Sequence, residues 1–280
     1  MPEIPEIQAH AERLEQDYRG ARLSRFVPIT FTALKTAVPP PDDAYGEALD
    51  SVGRRGKYLL LRFEPITFVV HLMQGGRLLP DVKMSARPRG GQARFLFDDG
   101  IPALLLTEAG TERRAGVWCL LTSAALATPP LADLGPEAND IEPEELAARF
   151  VEKSTRLHTF LRDQRMIAGV GRRLANEICH RAKLSPFAST KKLGLAGATK
   201  VVTAMRDAIA ESLAFERTRT DMSKSKQRPS RVHNRTGEPC PVCGDTVRAV
   251  EYSSYTVNYC PTCQTSGKLL ADNTTSRFLK

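Results

Sequence analysis

Cys240-Pro-Val-Cys243 and Cys260-Pro-Thr-Cys263 set two C-x2-C pairs sixteen residues apart near the end of a 280-residue chain. That spacing lets two tight turns present four thiolates to one tetrahedral ion, the pattern of a four-cysteine zinc ribbon. A segment of about thirty residues cannot enclose enough apolar surface to fold alone, so one structural Zn2+, worth ~10–16 kcal/mol of binding, would hold it together. Two disulfides are the competing use of the four sulfurs. The longest apolar runs, Tyr58–Leu61 and Phe68–Val70, fall far short of the ~20 residues that span a bilayer, and the amino terminus has no basic-then-apolar leader. A cytoplasmic location with no membrane association is therefore expected, and reducing conditions there favour metal over disulfides. Cys119 and Cys179, outside the pairs, are expected to be packed core thiols.

The ribbon leaves about 250 residues to be folded by ordinary burial, and at 41% hydrophobic and 26% charged the chain can do so as about two globular units. Charge divides them. Residues 1–150 carry 17 basic and 21 acidic side chains, net −4; residues 151–280 carry 23 and 11, net +12, which together give +8. Within the basic half, Arg217–Arg235 holds Arg217, Arg219, Lys224, Lys226, Arg228, Arg231 and Arg235 against the single acid Asp221. Such a run is either a solvated loop or a segment that tracks phosphates. A smaller basic island runs from Arg54 to Arg94.

Periodicity predicts a leading helix over Pro5–Tyr18, ended by Gly20, then strands at Leu23–Val27, Lys57–Phe63, Thr67–Met73, Ala93–Phe97, Ala103–Thr107 and Val117–Leu121. Helical patterns follow at Glu144–Val151, Thr155–Arg162, Arg173–Ala182 and Ala196–Phe215. The expected organisation is a β-sandwich over 1–127, a linker over 128–143, a helical module over 144–216, a basic loop over 217–235, the ribbon over 236–266 and a tail over 267–280. The fold class is multidomain α+β.

Pro2 and Glu3 carry the first chemistry. Removal of Met1 would leave Pro2 with a secondary amine; an α-amine, with an ordinary pKa of ~7.7–8.0, is partly unprotonated near neutrality and can attack a sugar carbon. Glu3 beside it could exchange protons with the sugar or leaving group. Met1-Pro2-Glu3-Ile4-Pro5-Glu6-Ile7 resembles the start of the formamidopyrimidine-DNA glycosylase and endonuclease VIII family. Four further segments match that family in order: Arg54-Arg55-Gly56-Lys57-Tyr58-Leu59-Leu60-Leu61; His71-Leu72 followed by Gly76; Asp163-Gln164-Arg165-Met166-Ile167-Ala168-Gly169-Val170-Gly171; and Thr236-Gly237-Glu238-Pro239-Cys240.

The resemblance implies an N-terminal β-sandwich, a helix–two-turn–helix module and a C-terminal zinc finger gripping damaged double-stranded DNA, in a monomer. It implies Pro2 as nucleophile at C1′, Glu3 as acid/base, Lys57 as the hairpin lysine near the lesion and His71 as a phosphate contact. The implied reaction is excision of an oxidised base, a purine such as 8-oxoguanine or formamidopyrimidine or an oxidised pyrimidine, then strand cleavage by β/δ-elimination. Several positions depart from the family. Its intercalating Met position reads Gln74, with Met73 one place earlier, so either Gln74 fills the space left by the extruded nucleotide or the hairpin is bulged. Its Arg-Arg-Phe-Gly turn becomes Arg113-Arg114-Ala115-Gly116, which keeps Arg113 and loses the aromatic wedge. The Asn after Gly-Ile-Gly becomes Arg172, and the finger's phosphate-binding Arg becomes Tyr255, which offers one neutral hydrogen bond and no charge. These losses motivate an alternative, a non-catalytic damaged-DNA-binding relative of the same fold. A third reading, a zinc deaminase built from His10-Ala11-Glu12 and Pro239-Cys240-Pro241-Val242-Cys243, would have to draw ligands from opposite ends of the chain.

Overall fold

A computed structural model describes residues 1–110, 112–253 and 255–270. The chain divides into two compact units, Met1–Asp133 and Leu134–Lys280. The expected tail lies largely outside the described residues, from 271 onward.

In the first unit, α1 (Ile4–Tyr18) buries Ile4, Ile7, Ala11, Leu14 and Tyr18, the i, i+3/i+4 stripe of an amphipathic helix. Eight strands follow: β1 (Leu23–Pro28), β2 (Ser51–Arg55), β3 (Tyr58–Phe63), β4 (Ile66–His71), β5 (Gly76–Asp81), β6 (Gly91–Phe97), β7 (Ala103–Glu108) and β8 (Gly116–Leu121). They form two antiparallel four-stranded sheets, ordered β1-β6-β7-β5 and β2-β3-β4-β8. The sheets join through aromatic rings: Phe26 and Phe95 from one meet Phe68 from the other at centroid distances of 5.4 and 5.3 Å, and Phe63 lies 5.8 Å from Phe68. Edge-to-face pairs of this kind add ~0.5–1.5 kcal/mol each beyond area burial. The expected β-sandwich is therefore present.

Periodicity overlooks β2 and β5, and both are edge strands. An edge strand need not alternate apolar and polar residues, and it can hold Pro80 because one row of its N–H groups has no ladder partner. The strand expected to reach Met73 stops at His71. Met73 takes φ 51°, and Gly76 N–H donates to the Leu72 carbonyl at 2.8 Å across a tight turn. Neither a register slip nor a bulge is involved. A Cβ on Gly76 would lie 2.0 Å from that carbonyl oxygen, so only glycine closes this turn.

The second unit contains α2 (Pro143–Glu152), α3 (Leu157–Arg162), α4 (Arg172–Arg181), α5 (Gly194–Arg217), β9 (Arg248–Glu251), β10 (Thr256–Tyr259) and α6 (Pro261–Thr265). The turns between α3 and α4 are stapled by Gln164, whose Nε2 donates to Val170 O at 2.8 Å while its Oε1 accepts Gly169 N–H at 2.9 Å. The latter half of the expected linker is built into this unit: Ala138 and Ile141 are buried, and Gly135 N–H and Ala168 N–H bond to Gln164 O and Pro136 O. No helix among the described residues is long and apolar enough to cross a membrane.

All five histidines are held below their ordinary pKa chiefly by burial: His10, His71 and His233 to about 4, His158 to about 3, and His180 in the same direction. The unfolded chain therefore binds more protons once the pH drops below the ordinary value. Their contribution to stability is complete above about pH 6.5 and is lost as the pH falls toward about 4. The urea midpoint should decline steadily over that interval; a midpoint independent of pH there would contradict the neutral, buried histidines.

Candidate active site and nucleic-acid interface

In the first unit, four of the expected residues gather at one end of the sandwich. Glu3 caps α1 with its side chain buried: its carboxylate accepts the Glu6 N–H, and the buried Glu6 carboxylate accepts the Glu3 N–H at 2.7 Å. This reciprocal box fixes the backbone on either side of Glu3 and is worth about 1 kcal/mol. Pro2 is buried before it. Lys57, only 7% exposed, sits in the two-residue turn joining β2 to β3, where Arg55 pairs with Tyr58 and Gly56 takes φ 56°. Glycine with positive φ at the first turn position suits a tight hairpin whose twist matches its strands.

His71 ends β4 and faces both groups electrostatically. After burial, the Lys57 ammonium and the N-terminal amine are the next causes of its low pKa of about 4. The ring is neutral at pH 7, and the Met73 N–H donates to its Nδ1 at 3.1 Å, which places the remaining proton on Nε2. Tyr58 covers the imidazole at 4.6 Å, and Trp118 backs Tyr58 at 5.7 Å; sequence reasoning assigned neither ring a role.

Gln74 and Arg113 lie on adjoining turns: Ala109 N–H meets Gly75 O at 3.4 Å, and β8 begins at Gly116 opposite His71. Both side chains are exposed, and Arg113 has φ 45°. Ala115 is fully buried, its N–H donating 2.6 Å to the buried Glu108 carboxylate, so this position points into the protein. Part of the expected basic island serves structure instead of ligand. Arg94 is buried and pairs with Asp81 at 2.6 Å, and Arg54 donates to Gln8 at 2.9 Å. His10, the deaminase candidate, donates from Nε2 to Leu78 O at 2.9 Å inside the first unit, whereas the cysteines belong to the second.

In the second unit, the Sγ atoms of Cys240, Cys243, Cys260 and Cys263 all lie within 4.8 Å of one another, with Cys240–Cys263 at 3.9 Å and Cys243–Cys260 at 3.3 Å. Zn–S bonds of ~2.3 Å in a tetrahedron require separations of about 3.8 Å, which this cluster fits. Burial pushes the Cys260 thiol up to about 11 and raises Cys263 as well. Crowded sulfurs of this kind become thiolates together only around a cation. His180 Nε2 approaches Cys240 Sγ at 3.3 Å, from where it can donate to a thiolate.

The run Arg217–Arg235 is neither loose nor wholly solvated. Met222, Ser223 and Val232 are buried, Glu216 accepts the Ser223 N–H at 3.2 Å, and Arg228 bonds back to Ser223. The Glu177 carboxylate on α4 accepts three successive amides, Arg231, Val232 and His233, at 2.8, 3.0 and 3.0 Å. Arg172 is the first residue of α4, after the N-cap Gly171, and its guanidinium lies over the Tyr255 ring.

Residues 1–109 match the formamidopyrimidine-DNA glycosylase N-terminal domain, 133–224 the H2TH domain of formamidopyrimidine-DNA glycosylase, and 237–265 the zinc finger found in FPG and IleRS. A formamidopyrimidine-DNA glycosylase of Symbiobacterium thermophilum is 31% identical over 278 residues, covering 94% of this chain and 89% of the relative. The chain belongs to the formamidopyrimidine-DNA glycosylase family. An uncharacterized formamidopyrimidine-DNA glycosylase-like protein of Mycobacterium tuberculosis is 43% identical over 155 residues, covering 55% of this chain and 98% of that protein. The FPG protein of Thermus thermophilus superposes with a TM-score of 0.81 at 26% identity, over 94% of this chain and 98% of that one. A Lactococcus lactis FPG mutant in complex with a Fapy-dG containing DNA superposes with a TM-score of 0.83 at 20% identity, over 94% and 100%.

Family membership and sulfur spacing together lead to a direct expectation for the metal. Metal analysis should give one zinc per chain, and chelation should remove amide-exchange protection from β9, β10 and the turns holding the cysteines. Protection that survives complete zinc removal would show that the finger folds without it.

Proposed function

We propose that this chain is a bifunctional DNA glycosylase and abasic-site lyase of base-excision repair, acting as a monomer on damaged double-stranded DNA. The observation that carries this reading is the grouping of a buried, capped Glu3 next to Pro2 with Lys57 and a neutral His71 at one end of the sandwich. The Pro2 amine attacks C1′ of the extruded nucleotide as the N-glycosidic bond breaks, and the oxidised base leaves with its bonding electrons and takes up a proton. Glu3 delivers a proton to the ring oxygen, opening the sugar to a Schiff base on Pro2. Loss of a C2′ proton then expels the 3′ phosphate, and a second elimination expels the 5′ phosphate.

Lys57 supplies positive charge beside the lesion and its phosphate. His71, with its proton on Nε2, donates a hydrogen bond to a phosphate oxygen without adding a charge. Gln74 and Arg113 occupy the space left by the extruded nucleotide from their two turns, and Arg172 holds the backbone from the start of α4. The relatives crystallised with Fapy-dG or carbocyclic 8-oxo-G DNA support oxidised purines as the substrates.

Borohydride should trap a covalent adduct between the wild-type chain and a duplex carrying an abasic or oxidised site, and Pro2→Gly should abolish it. Binding to those duplexes without adduct or strand scission would instead favour the non-catalytic relative. Affinity for duplex should fall by orders of magnitude between about 50 and 200 mM salt; an affinity unchanged over that range would remove the phosphate contacts from the reading.

A further inference from the structure

The ends of α3 and α4 and the segment before β10 build a stack of rings and guanidinium groups that the chemistry above leaves unused. The Tyr252 and Tyr255 rings are 4.6 Å apart and within 12° of parallel. The Arg162 guanidinium lies 4.2 Å from the Tyr255 ring centre and that of Arg172 lies 5.5 Å from it. The buried His158 ring is parallel to Tyr255 at 6.1 Å. The stack is braced, because Arg156 donates to the Tyr252 hydroxyl at 2.8 Å and covers the Phe187 ring at 4.7 Å. Tyr252 N–H also closes the segment on Tyr255 O at 2.9 Å.

Two cations drawn to one ring repel each other, and Arg172 adds its charge at the positive end of the α4 dipole, where the first turn holds no acid. An arrangement that accumulates positive charge in this way becomes favourable when an anion completes it. Stacking engages the face of a guanidinium and directs its N–H edge outward, the edge that forks onto phosphate oxygens. We propose that Tyr255 is a positioning residue whose ring holds Arg162 and Arg172 as a paired grip on one phosphodiester of the DNA backbone. The inference rests on the DNA-binding reading above, and it gives Tyr255 a purpose that its single neutral hydroxyl did not suggest.

The test is a salt series of binding titrations on a duplex containing an abasic analogue, using the full zinc-loaded chain. Replacing both arginines, Arg162→Gln with Arg172→Gln, should weaken binding and lower the log–log salt slope by about 0.9, the loss of one phosphate contact. Tyr255→Leu should weaken binding about fivefold with zinc content and melting temperature unchanged, and Tyr255→Phe, which keeps the ring, should bind as the wild type does. In the double-glutamine background Tyr255→Leu should have no further effect. If it weakened binding there by the same factor, the ring would act on its own and the grip would be overturned. Should Tyr255→Leu lose zinc, the slope of the double-glutamine variant decides, and an unchanged slope overturns the grip. Tight, salt-dependent wild-type binding with unaltered Tyr255 variants overturns the grip alone, whereas a wild-type chain that ignores duplex overturns the DNA-binding reading with it.

Discussion

A carboxylate carried into the interior must be surrounded by donors or it destabilises what encloses it, and the second unit is assembled around one that is. Glu177 is 3% exposed, and its two oxygens accept three consecutive backbone N–H groups from a stretch rich in arginine. That contact turns a run of like charges into a defined loop. Val232, seated by it, packs with Cys240, Val247 and Cys260 in the small core beneath the cysteines. One turn further along the same helix His180 reaches Cys240, and Gln264 ties the finger back by donating to Leu184 O at 2.9 Å. Metal site, basic loop and helical module are thus coupled through one face of α4, and removing the Glu177 charge would loosen all three.

What could be read from the sequence follows how local each signal is. The zinc ribbon was legible because the ligands fix their own geometry through short turns. Likewise β3 and β4 were legible because strands covered on both faces are continuously apolar. The leading helix announced itself by its stripe. The polar β2 and Pro-containing β5 were not legible, since their pairing comes from neighbours far away in the chain. Arg94 counted as surface charge until its partner Asp81 appeared on another strand, and Ala115 counted as a lost wedge until Glu108 was seen to pin it inward. At the candidate site the residue identities of Pro2, Glu3, Lys57 and His71 were legible through ordered motifs. The tautomer of His71 and the capping role of Glu3 depend on contacts that spacing cannot reveal.

The departures at Arg172 and Tyr255 look like separate losses along the sequence, and in space they meet. An aromatic ring where a charge was expected costs one cation but gathers two, and Arg162, beside the Asp163 of the α3–α4 turn, was overlooked because nothing local marked it. The sum of charges is therefore a poor guide to the interface, whereas the rings on which the charges rest are a better one.

The buried histidines have an electrostatic consequence beyond stability. With all five imidazoles neutral in the folded state, the field around the protein at pH 6 is the same sum of arginine, lysine and carboxylate charge as at pH 8. A modest acidification of the surroundings leaves the long-range attraction for a polyanion unchanged, and the ionic atmosphere alone sets its reach. Such a protein would search DNA with the same electrostatic range in an acid-stressed cell as in a resting one.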